Sequence, residues 1–405
     1  MEILADVGGR PGLDCKGFCT YCYFKGVKEV APFGCKHCLP FQKGCDYCTR
    51  AIREGYSGFK PLEMVAMEVA QTAFRSIPEK VTISGGGDLS CYPHLLELTR
   101  LVGQSDVPVH LGYTSGKGFT RGDEADALIE AGVKEVSFTV FSTRPELRHR
   151  YMRDKHPEAA LTNLRRFSDC CDVYAAVILV PGANDGPELE KTCSDLEEMG
   201  IRRLILMRFA NAREQGLVLG NAPILPGVVP HTTEEFKQIV TEISERYSFR
   251  VTGTPLWDPE TGAPFALASR RDELARLPPL KKSATLITGS VAEPLLSSIF
   301  RDLGDKVNVV SVGQDIGCLI TVEDLKELDL GEVKETVILP GRTLACDSDI
   351  RQVLTRDGVD RLIRRGPDRL TVDGEMSISM TPREVIEVEV ESFTDLIEEI
   401  NALGV

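Results

Sequence analysis

Apolar runs and amphipathic stretches alternate along the chain from Met1 to about Arg250. The apolar runs are short and rich in β-branched residues, which is typical of parallel strands covered by helices. They occur at Glu2–Val7, Val81–Ser84, Val107–Leu111, Glu135–Phe141, Tyr174–Val180 and Arg203–Phe209. Between them, apolar positions at helical spacing predict helices over Pro61–Ser76, Pro93–Gly103, Asp123–Ala131, Pro157–Ser168, Glu188–Met199 and Thr232–Arg246.

Several of these helices carry end signals. Pro61 suits a first helical turn, Thr232 and Glu235 have the spacing of a capping box, and Gly132 and Gly200 stop their helices. Six strand–helix units, rather than eight, predict an α/β fold with a partial (β/α)6 barrel. In such folds ligands bind at the C-terminal ends of the strands, so the loops that follow the strands are expected to carry the chemistry.

The pattern lapses at Ala263–Lys282, where prolines and charges accumulate, and we predict a linker there. After it a smaller α/β unit is predicted, with strands at Thr285–Thr288, Val307–Val312, Leu319–Val322 and Thr336–Leu339 and a helix at Ala292–Leu303. The chain is thus expected to form two domains, residues 1–275 and 283–405. The acid-rich run that begins at Glu375 is interpreted as a solvated face.

Composition excludes several classes of protein. Of the 405 residues, 42% are hydrophobic and 27% are charged, as in ordinary globular proteins. No run of about 18 apolar residues occurs, so no membrane span is expected. The net charge of -14 argues against general nucleic-acid binding, and it suits either a cationic substrate or a solvated acidic surface. Because the chain shows no secretory signal, a cytoplasmic location is expected.

Three cysteines near the start of the chain have the spacing C-x3-C-x2-C. They lie in the run Asp14-Cys15-Lys16-Gly17-Phe18-Cys19-Thr20-Tyr21-Cys22-Tyr23. Three thiolates at this spacing can each hold one iron of a cubane cluster, whereas a redox-inert cluster normally has four. The missing ligand leaves one iron open, and an open coordination site is where metal chemistry takes place. This motif therefore indicates an enzyme.

Four further cysteines, with the spacing C-x2-C-x6-C-x2-C, fall in a loop at about residues 30–52. They are Cys35, Cys38, Cys45 and Cys48. Four soft thiolates can close a tetrahedral site for iron or zinc, and the spacing does not choose the metal. The alternatives are four structural thiols or two disulfides, and disulfides are uncommon in a chain without a secretory signal.

Three glycines and a carboxylate follow the second predicted strand. An open cluster iron can chelate the amine and carboxylate of an amino acid, and S-adenosylmethionine offers both. Gly85, Gly86 and Gly87 would let backbone carbonyls approach such a ligand, and Asp88 could accept a hydrogen bond from its ammonium group. The alternative for the glycines is a plain tight turn.

The three-cysteine loop after the first strand of a six-unit barrel resembles the radical S-adenosylmethionine superfamily. This resemblance implies that Tyr21 lies against the adenine and that Gly86-Gly87-Asp88 receives the methionyl amine, with Asp shorter than the usual Glu. It implies further contacts to S-adenosylmethionine at later strand ends, from Thr114, Ser115, Ser137, Thr139 and Asn184. Ser137 and Thr139 could instead simply fill the pleat of their strand.

The run from Asp14 to Phe24, followed by the four-cysteine loop, more narrowly resembles the methanogenesis marker protein 10 family across essentially the whole chain. The resemblance implies a cobalamin-dependent radical enzyme that methylates carbon 5 of an arginine in methyl-coenzyme M reductase. One S-adenosylmethionine would methylate cob(I)alamin, and a second would supply the deoxyadenosyl radical. An electron donor and the arginine-bearing protein would be its partners.

The same resemblance implies a mononuclear iron in the four-cysteine loop and Tyr23 as a ligand of the fourth cluster iron. The alternative for Tyr23 is a hydrophobic wall with a satisfied hydroxyl. For a substrate arginine, the acids near predicted strand ends are Asp88, Glu146, Asp154 and Asp185, and the sequence does not choose among them.

The resemblance places cobalamin against the C-terminal domain. Gly-bearing turns there supply Gly289, Ser290, Gly313, Gln314 and Asp315. All six histidines precede this domain and the D-x-H-x2-G motif is absent, so the lower face of the cobalt is expected to meet aliphatic side chains. The candidates are Leu319, Ile320 and Val322, which could equally form a core strand.

Two rival functions stay open. One is another radical enzyme, such as a peptide epimerase or cross-linking enzyme, with an auxiliary metal site in the four-cysteine loop. The other is a non-catalytic iron–sulfur or zinc scaffold. Retention of cobalamin separates the first rival from a methyltransferase, and reductive cleavage of S-adenosylmethionine separates both enzymes from the scaffold.

Overall fold

Seven parallel strands in sequence order form the larger sheet of the protein. The computed structural model describes residues 2–27, 31–39, 42–43, 58–74, 78–103, 107–367, 370–372 and 377–405. The strands are β1 (Glu2–Asp6), β2 (Lys80–Ser84), β3 (Val109–Thr114), β4 (Val133–Thr139), β5 (Asp172–Leu179), β6 (Arg203–Arg208) and β7 (Arg250–Thr254). Within these residues no pairing joins β1 to β7, so the sheet is an open, partial barrel and the predicted fold class is confirmed.

Helices connect successive strands and pack their apolar faces against the sheet. They are α1 (Leu62–Ala73), α2 (Leu95–Gly103), α3 (Glu124–Glu130), α4 (Pro157–Cys170), α5 (Pro187–Glu198) and α6 (Thr233–Arg246). The predicted capping box of α6 is present, since Thr232 Oγ1 accepts from Glu235 N at 3.1 Å and the Glu235 carboxylate accepts from Thr232 N at 2.8 Å. The seventh strand was not predicted, because its short run Arg-Val-Thr-Gly-Thr carries little apolar signal.

A second, four-stranded parallel sheet follows, in the order β11–β10–β8–β9. Its strands are β8 (Ala284–Thr288), β9 (Val307–Ser311), β10 (Thr336–Leu339) and β11 (Leu362–Arg365). The helices of this part of the chain are α7 (Glu293–Asp302), α8 (Val322–Lys326), α9 (Asp347–Leu354) and α10 (Pro382–Leu403).

The predicted strand over Leu319–Val322 is wrong. The segment begins as a 3₁₀ turn at Gly317–Leu319 and continues into α8. The physical reason is a capping box: Thr321 N donates to the Asp324 carboxylate at 2.7 Å and fixes the first turn of the helix. A short apolar run cannot by itself distinguish a strand from a helix start.

The predicted linker over Ala263–Lys282 is also wrong, because this segment is part of the second core. Phe265, Leu267 and Leu274 are buried against α7 and α10. Glu389, a partly buried member of the acid-rich run on α10, accepts three hydrogen bonds of 2.9 to 3.0 Å from the backbone N–H groups of residues 265–267. From Pro382 on, that run is therefore an amphipathic helix rather than only a solvated face. Across the described ranges, no helix is long and apolar enough to cross a membrane.

Candidate functional site

A cavity of about 230 Å³ opens at the C-terminal ends of the barrel strands. The three-cysteine loop lines it, together with residues at the ends of β2, β3, β4 and β5 or in the segments that follow β2, β3 and β4. Of the residues predicted from the sequence, the cavity brings together Cys15, Cys19, Cys22, Tyr21, Tyr23, Gly86, Gly87, Asp88, Thr114, Ser115 and Thr139. The parallel strands account for this convergence, because their carboxyl ends meet at one edge of the sheet.

The three thiols of the first motif lie in a partly buried, hydrogen-bonded environment. Cys15 Sγ accepts hydrogen bonds from Gly12 N at 3.3 Å and from Asp88 N at 3.1 Å. Burial raises the pKa of Cys15 and of Cys22 to about 11 and also raises the pKa of Cys19. At neutral pH the free thiols therefore keep their protons, and binding of metal would release them.

This donor set fits a [4Fe–4S] cluster with one open iron. Three thiols face one cavity, and the N–H groups on Cys15 are the kind of donors that tune cluster sulfurs. In the part of the chain that the structure describes, no three His, Cys, Asp or Glu side chains converge on a single metal ion. A cubane needs no such convergence, because each thiolate binds a different iron.

Asp88 is a hydrogen-bonding hub between the loops that follow β2 and β3. Its Oδ1 accepts from Ser90 N at 3.1 Å, Ser90 Oγ at 2.9 Å, Thr114 Oγ1 at 2.9 Å and Ser115 N at 3.1 Å, and its Oδ2 accepts from Ser115 Oγ. Four donors saturate Oδ1, so only Oδ2 has capacity for a ligand ammonium group. The hydroxyl groups of Thr114 and Ser115 therefore donate their hydrogen bonds to Asp88, although both residues line the cavity.

Tyr21 is a buried aromatic wall of the cavity. Its ring stacks on Phe141 with a centroid distance of 4.8 Å and an interplanar angle of 10°. Its hydroxyl is buried beside the thiol of Cys19. Burial, with the neighbouring Cys19 as a smaller contributor, holds the pKa of Tyr21 well above its usual range. Contact of this ring with an adenine stays a prediction.

Tyr23 is held by one hydrogen bond at its side chain and one at its backbone. Its hydroxyl donates to the carbonyl oxygen of Arg208 at 3.2 Å, and its own carbonyl accepts from Asn221 Nδ2. Burial raises the pKa of the phenol. The structure therefore shows the satisfied hydroxyl that was the alternative interpretation, and binding of Tyr23 to iron, which stays a prediction, would exchange this hydrogen bond for a metal bond.

Three predicted S-adenosylmethionine contacts do not line the cavity. Gly85 packs on the backbone of Gly8, whose carbonyl oxygen would lie 2.2 Å from an added Cβ. The hydroxyl of Ser137 pairs with His110 Nε2 at 3.0 Å, deeper along β4 than Thr139. The Asn184 side chain is buried and holds its own turn, accepting from Val180 N at 2.8 Å. These positions therefore serve the fold rather than the cavity.

Two buried cations of the site were missed by sequence reasoning. Lys117 is 2% exposed, lines the cavity and donates from Nζ to the carbonyl oxygen of Gly17 at 2.6 Å. Its charge lowers the pKa of each of the three cysteines against the larger effect of burial. Arg148 is fully buried beside the cavity. The only sequence signal for Lys117 is a glycine on either side, and Arg148 has none.

A second cavity of about 200 Å³ lies between the barrel and the second sheet, and Tyr23 lines both cavities. Most of its lining is apolar, including Met207, Leu217 and Leu319. Three buried polar atoms among its lining residues have no hydrogen-bond partner in the described structure: Arg208 Nε, Asn221 Oδ1 and Thr254 Oγ1. Because buried polar groups are usually paired, these atoms indicate a ligand or ordered water.

The predicted cobalamin residues divide into two groups. Leu319 lines the second cavity, whereas Ile320 is buried in the core of the second sheet and Val322 begins α8. The remaining five are Gly289, Ser290, Gly313, Gln314 and Asp315, none of which lines that cavity. Of these, Asp315 and Gln314 join the second sheet to the barrel.

Asp315 is the centre of that junction. Its carboxylate pairs with Arg208 at the end of β6 and accepts from Ser290 Oγ at 2.8 Å, while its N–H donates to the carbonyl oxygen of Glu214 at 2.8 Å. Gln314 Nε2 donates to the carbonyl oxygen of Arg213 at 3.3 Å.

Half of the four-cysteine loop lies within the described residues. Cys35 N donates to Cys38 Sγ at 3.3 Å, and Gly34, with φ of +90°, packs against the residue that precedes α9: an added Cβ would lie 2.7 Å from Cys346 N. Lys43 pairs with Asp349 of α9 at 2.6 Å. Cys45 and Cys48 lie outside the described residues, so the four-ligand site stays a prediction.

Comparison with known proteins gives one family match and several distant structural likenesses. Residues 10–196 match the Radical SAM superfamily. No curated protein matches the sequence.

Among solved structures, Streptococcus suis SuiB is 9% identical with a TM-score of 0.41, over 62% of this chain and 49% of SuiB. A radical SAM methyltransferase from Sphaerobacter thermophilus is 16% identical with a TM-score of 0.36, over 54% of this chain and 63% of that one. The chain thus spans about half the length of SuiB.

The family match covers the three-cysteine loop, Asp88 and the strand ends that line the first cavity. The radical SAM superfamily implies a [4Fe–4S] cluster and S-adenosylmethionine, and the donor set described above fits both. Residues 10–196 of this chain therefore match a radical SAM superfamily domain, and the residues that line the first cavity fit that match.

Proposed function

We propose that this protein is a cobalamin-dependent radical S-adenosylmethionine methyltransferase that methylates carbon 5 of an arginine in methyl-coenzyme M reductase. The observation that carries the proposal is that Tyr23 forms a wall common to two cavities. One cavity holds the three-cysteine motif, and the other reaches the second sheet. A methyl carrier and a radical generator that act on one carbon need such neighbouring sites.

The first cavity supports binding of S-adenosylmethionine. When bound, the cluster supplies the electron that cleaves the cofactor and gives a deoxyadenosyl radical. The chain positions the cofactor: the Gly86 and Gly87 backbone and Asp88 Oδ2 can accept from its ammonium group, and the Lys117 cation can attract its carboxylate. Tyr21 and Phe141 offer a stacked aromatic surface that excludes water.

The second cavity, at about 200 Å³, has room for part of a corrinoid, and we place one edge of the ring there. Cobalamin is an apolar ring fringed with carboxamides, which both donate and accept hydrogen bonds. Arg208, Asn221 and Thr254 are polar residues in its lining, and side chains of these types can donate to and accept from carboxamide groups. Leu319 and Ile316 give an aliphatic wall and no metal ligand, which fits a cobalt without a lower protein ligand.

The four acids predicted for a substrate arginine differ in their burial and in the partners that their carboxylates already have. Asp154 is fully buried against Arg148, and Asp185 accepts from Gly182 N at 2.9 Å and lies 3.5 Å from His231. Asp88 is saturated at Oδ1. Glu146 is 74% exposed and lies 3.9 Å from Arg144, so of the four acids its carboxylate has the fewest existing partners, although it lines neither cavity.

Anaerobic reconstitution with iron, sulfide and cobalamin, followed by incubation with an arginine peptide of methyl-coenzyme M reductase, tests the proposal. We expect deoxyadenosine, a bound corrinoid and a peptide that is one methyl group heavier. Deoxyadenosine with an unmethylated but altered peptide would instead support an epimerase or cross-linking enzyme. Absence of deoxyadenosine from cluster-loaded protein would refute a radical enzyme of either kind.

A further inference from the structure

Arg148 uses every hydrogen-bond donor of its guanidinium group, and its side chain is fully buried. Nε donates to Asp154 Oδ2 at 3.0 Å, and Nη2 donates to the same oxygen at 2.8 Å and to the carbonyl oxygen of Ser115 at 2.5 Å. Nη1 donates to the carbonyl oxygens of Val140 at 2.7 Å and of Thr139 at 3.4 Å. All five N–H groups of an arginine are thereby satisfied.

These bonds tie together two strand ends that line the first cavity. Ser115 follows β3 and binds Asp88, and Thr139 ends β4. Both residues border the space in which S-adenosylmethionine is placed by the radical SAM assignment. Adjacent parallel strands are joined by ladder bonds only up to their last paired residues, Thr114 and Phe138. Beyond that point Arg148 bonds to both chains.

The segment that carries Arg148 also contacts the cysteine loop. Residues Arg148–Met152 form a π-helical turn, a feature that often occurs at functional sites. The carbonyl oxygen of Tyr151 accepts from Thr20 N at 2.7 Å and from Thr20 Oγ1 at 3.2 Å. Asp154 pairs with Arg148 and so closes the turn on itself.

We propose that Arg148 is a positioning residue that holds the cluster loop and the β3 and β4 ends at the spacing that bound S-adenosylmethionine must bridge. The proposal rests on the radical SAM assignment and not on cobalamin or on the substrate. A lysine keeps the charge pair with Asp154, but a single ammonium group cannot reach the carbonyls of Ser115, Thr139 and Val140 in the same planar fork. The spacing, rather than the charge, depends on arginine.

The test compares Arg148→Lys with the wild type and with Arg166→Lys, which alters an exposed arginine paired with Asp126 on the helix surface. Iron and sulfide content, the dissociation constant of S-adenosylmethionine, and the change that the cofactor causes in the electron paramagnetic resonance spectrum of the reduced cluster are measured. We expect Arg148→Lys to hold normal iron, to bind S-adenosylmethionine at least tenfold more weakly, and to lose most of the spectral change. The kcat of this variant for deoxyadenosine formation, at saturating S-adenosylmethionine, should fall less than threefold.

Normal cofactor binding in Arg148→Lys, within twofold, would overturn this inference alone. A wild type that shows no binding would overturn the radical SAM function with it. If Arg148→Lys does not fold, the same measurements are made on Thr20→Val. This variant removes only the hydrogen bond from the Thr20 hydroxyl to the carbonyl oxygen of Tyr151. Weaker cofactor binding with normal iron supports the positioning role, and unchanged binding overturns it.

Discussion

The hydroxyl of Tyr23 donates to the carbonyl oxygen of Arg208 at 3.2 Å, and the guanidinium group of the same arginine pairs with Asp315 of the second sheet. Two steps of direct contact thus lead from the cluster loop to the C-terminal part of the chain. A shift of either part would move Tyr23, which borders both cavities.

We expect Tyr23→Phe to separate cofactor cleavage from methyl transfer. The variant keeps the aromatic wall but loses the bond to Arg208 and any phenolate that could bind iron. Without substrate, its reduced-cluster spectrum should differ from that of the wild type, and deoxyadenosine should form with little methylated peptide. Tyr174→Phe, which loses a hydroxyl bonded to Ser379 elsewhere in the barrel, is the matched control. An identical spectrum and normal methylation in Tyr23→Phe would contradict a role for this phenol.

Cys19→Ala should abolish formation of deoxyadenosine, since a cubane held by two thiolates is not expected to bind and reduce the cofactor. Iron content and deoxyadenosine are measured by metal analysis and chromatography after anaerobic reconstitution. Cys170→Ala changes an exposed cysteine on α4 and should leave both values unchanged. Undiminished cleavage in Cys19→Ala would refute the cluster assignment.

Asp315→Ala should destabilise the junction between the two sheets. The Arg208 side chain is 3% exposed, and removal of its partner leaves a buried charge uncompensated, at a cost of about 3 kcal/mol in the free energy of unfolding. Urea unfolding measures the change. Asp126→Ala, which breaks an exposed pair with Arg166, should cost no more than about 1 kcal/mol. Equal effects of the two changes would contradict the buried role of the Arg208 pair.

Glu389 should make stability fall as pH rises from about 4.5 to 7. Burial raises the pKa of this carboxyl from its usual range to about 7. The folded protein therefore binds more protons than the unfolded chain within this window, and its ionisation above pH 7 costs on the order of 3 kcal/mol. Melting temperatures of Glu389→Gln between pH 5 and 8 should show a smaller decline than the wild type.

The control for this pH effect is Glu391→Gln, which changes an exposed acid on the same helix and should keep the wild-type profile. Parallel profiles for the wild type and Glu389→Gln would show that Glu389 does not titrate in this range.

Leu319→Trp should fill the second cavity and block a corrinoid. The Leu319 side chain already lies close to Gly216, so a larger ring has only the cavity to occupy. Retained cobalamin, measured by absorbance after gel filtration, should fall at least tenfold, while formation of deoxyadenosine stays within twofold. Leu101→Trp changes an exposed leucine of α2 and serves as control. Normal cobalamin retention in Leu319→Trp would show that the corrinoid does not bind in this cavity.

The sequence predicted the elements whose signals are local and strong. Strands such as β5 and helices such as α6 combine apolar periodicity with end signals, and both are present. The errors occur where tertiary packing, rather than local sequence, determines the structure. Leu274 and Leu277 lie in a Pro- and charge-rich stretch, yet both are buried in the second core. The start of α8 was readable in principle, because Thr321 and Asp324 have capping spacing.

The motif residues predicted from the sequence converge on one cavity, whereas two isolated residues beside it were not predicted. The spacing of Cys15, Cys19 and Cys22 and the position of Asp88 after β2 place them in one cavity. A single lysine or arginine gives no such spacing signal, so the sequence could not predict that Lys117 and Arg148 are buried at the site. Their partners are backbone carbonyls from distant loops, and no local pattern encodes those.

The contact of Gly34 with Cys346 has a consequence for biosynthesis. The turn that carries Cys35 leaves the ribosome about three hundred residues before the start of α9, which at typical translation rates is a delay on the order of tens of seconds. During that interval the nascent loop has no surface on which to dock. The turn at Gly34 can therefore take its place against Cys346 only after the segment that begins α9 has been synthesised.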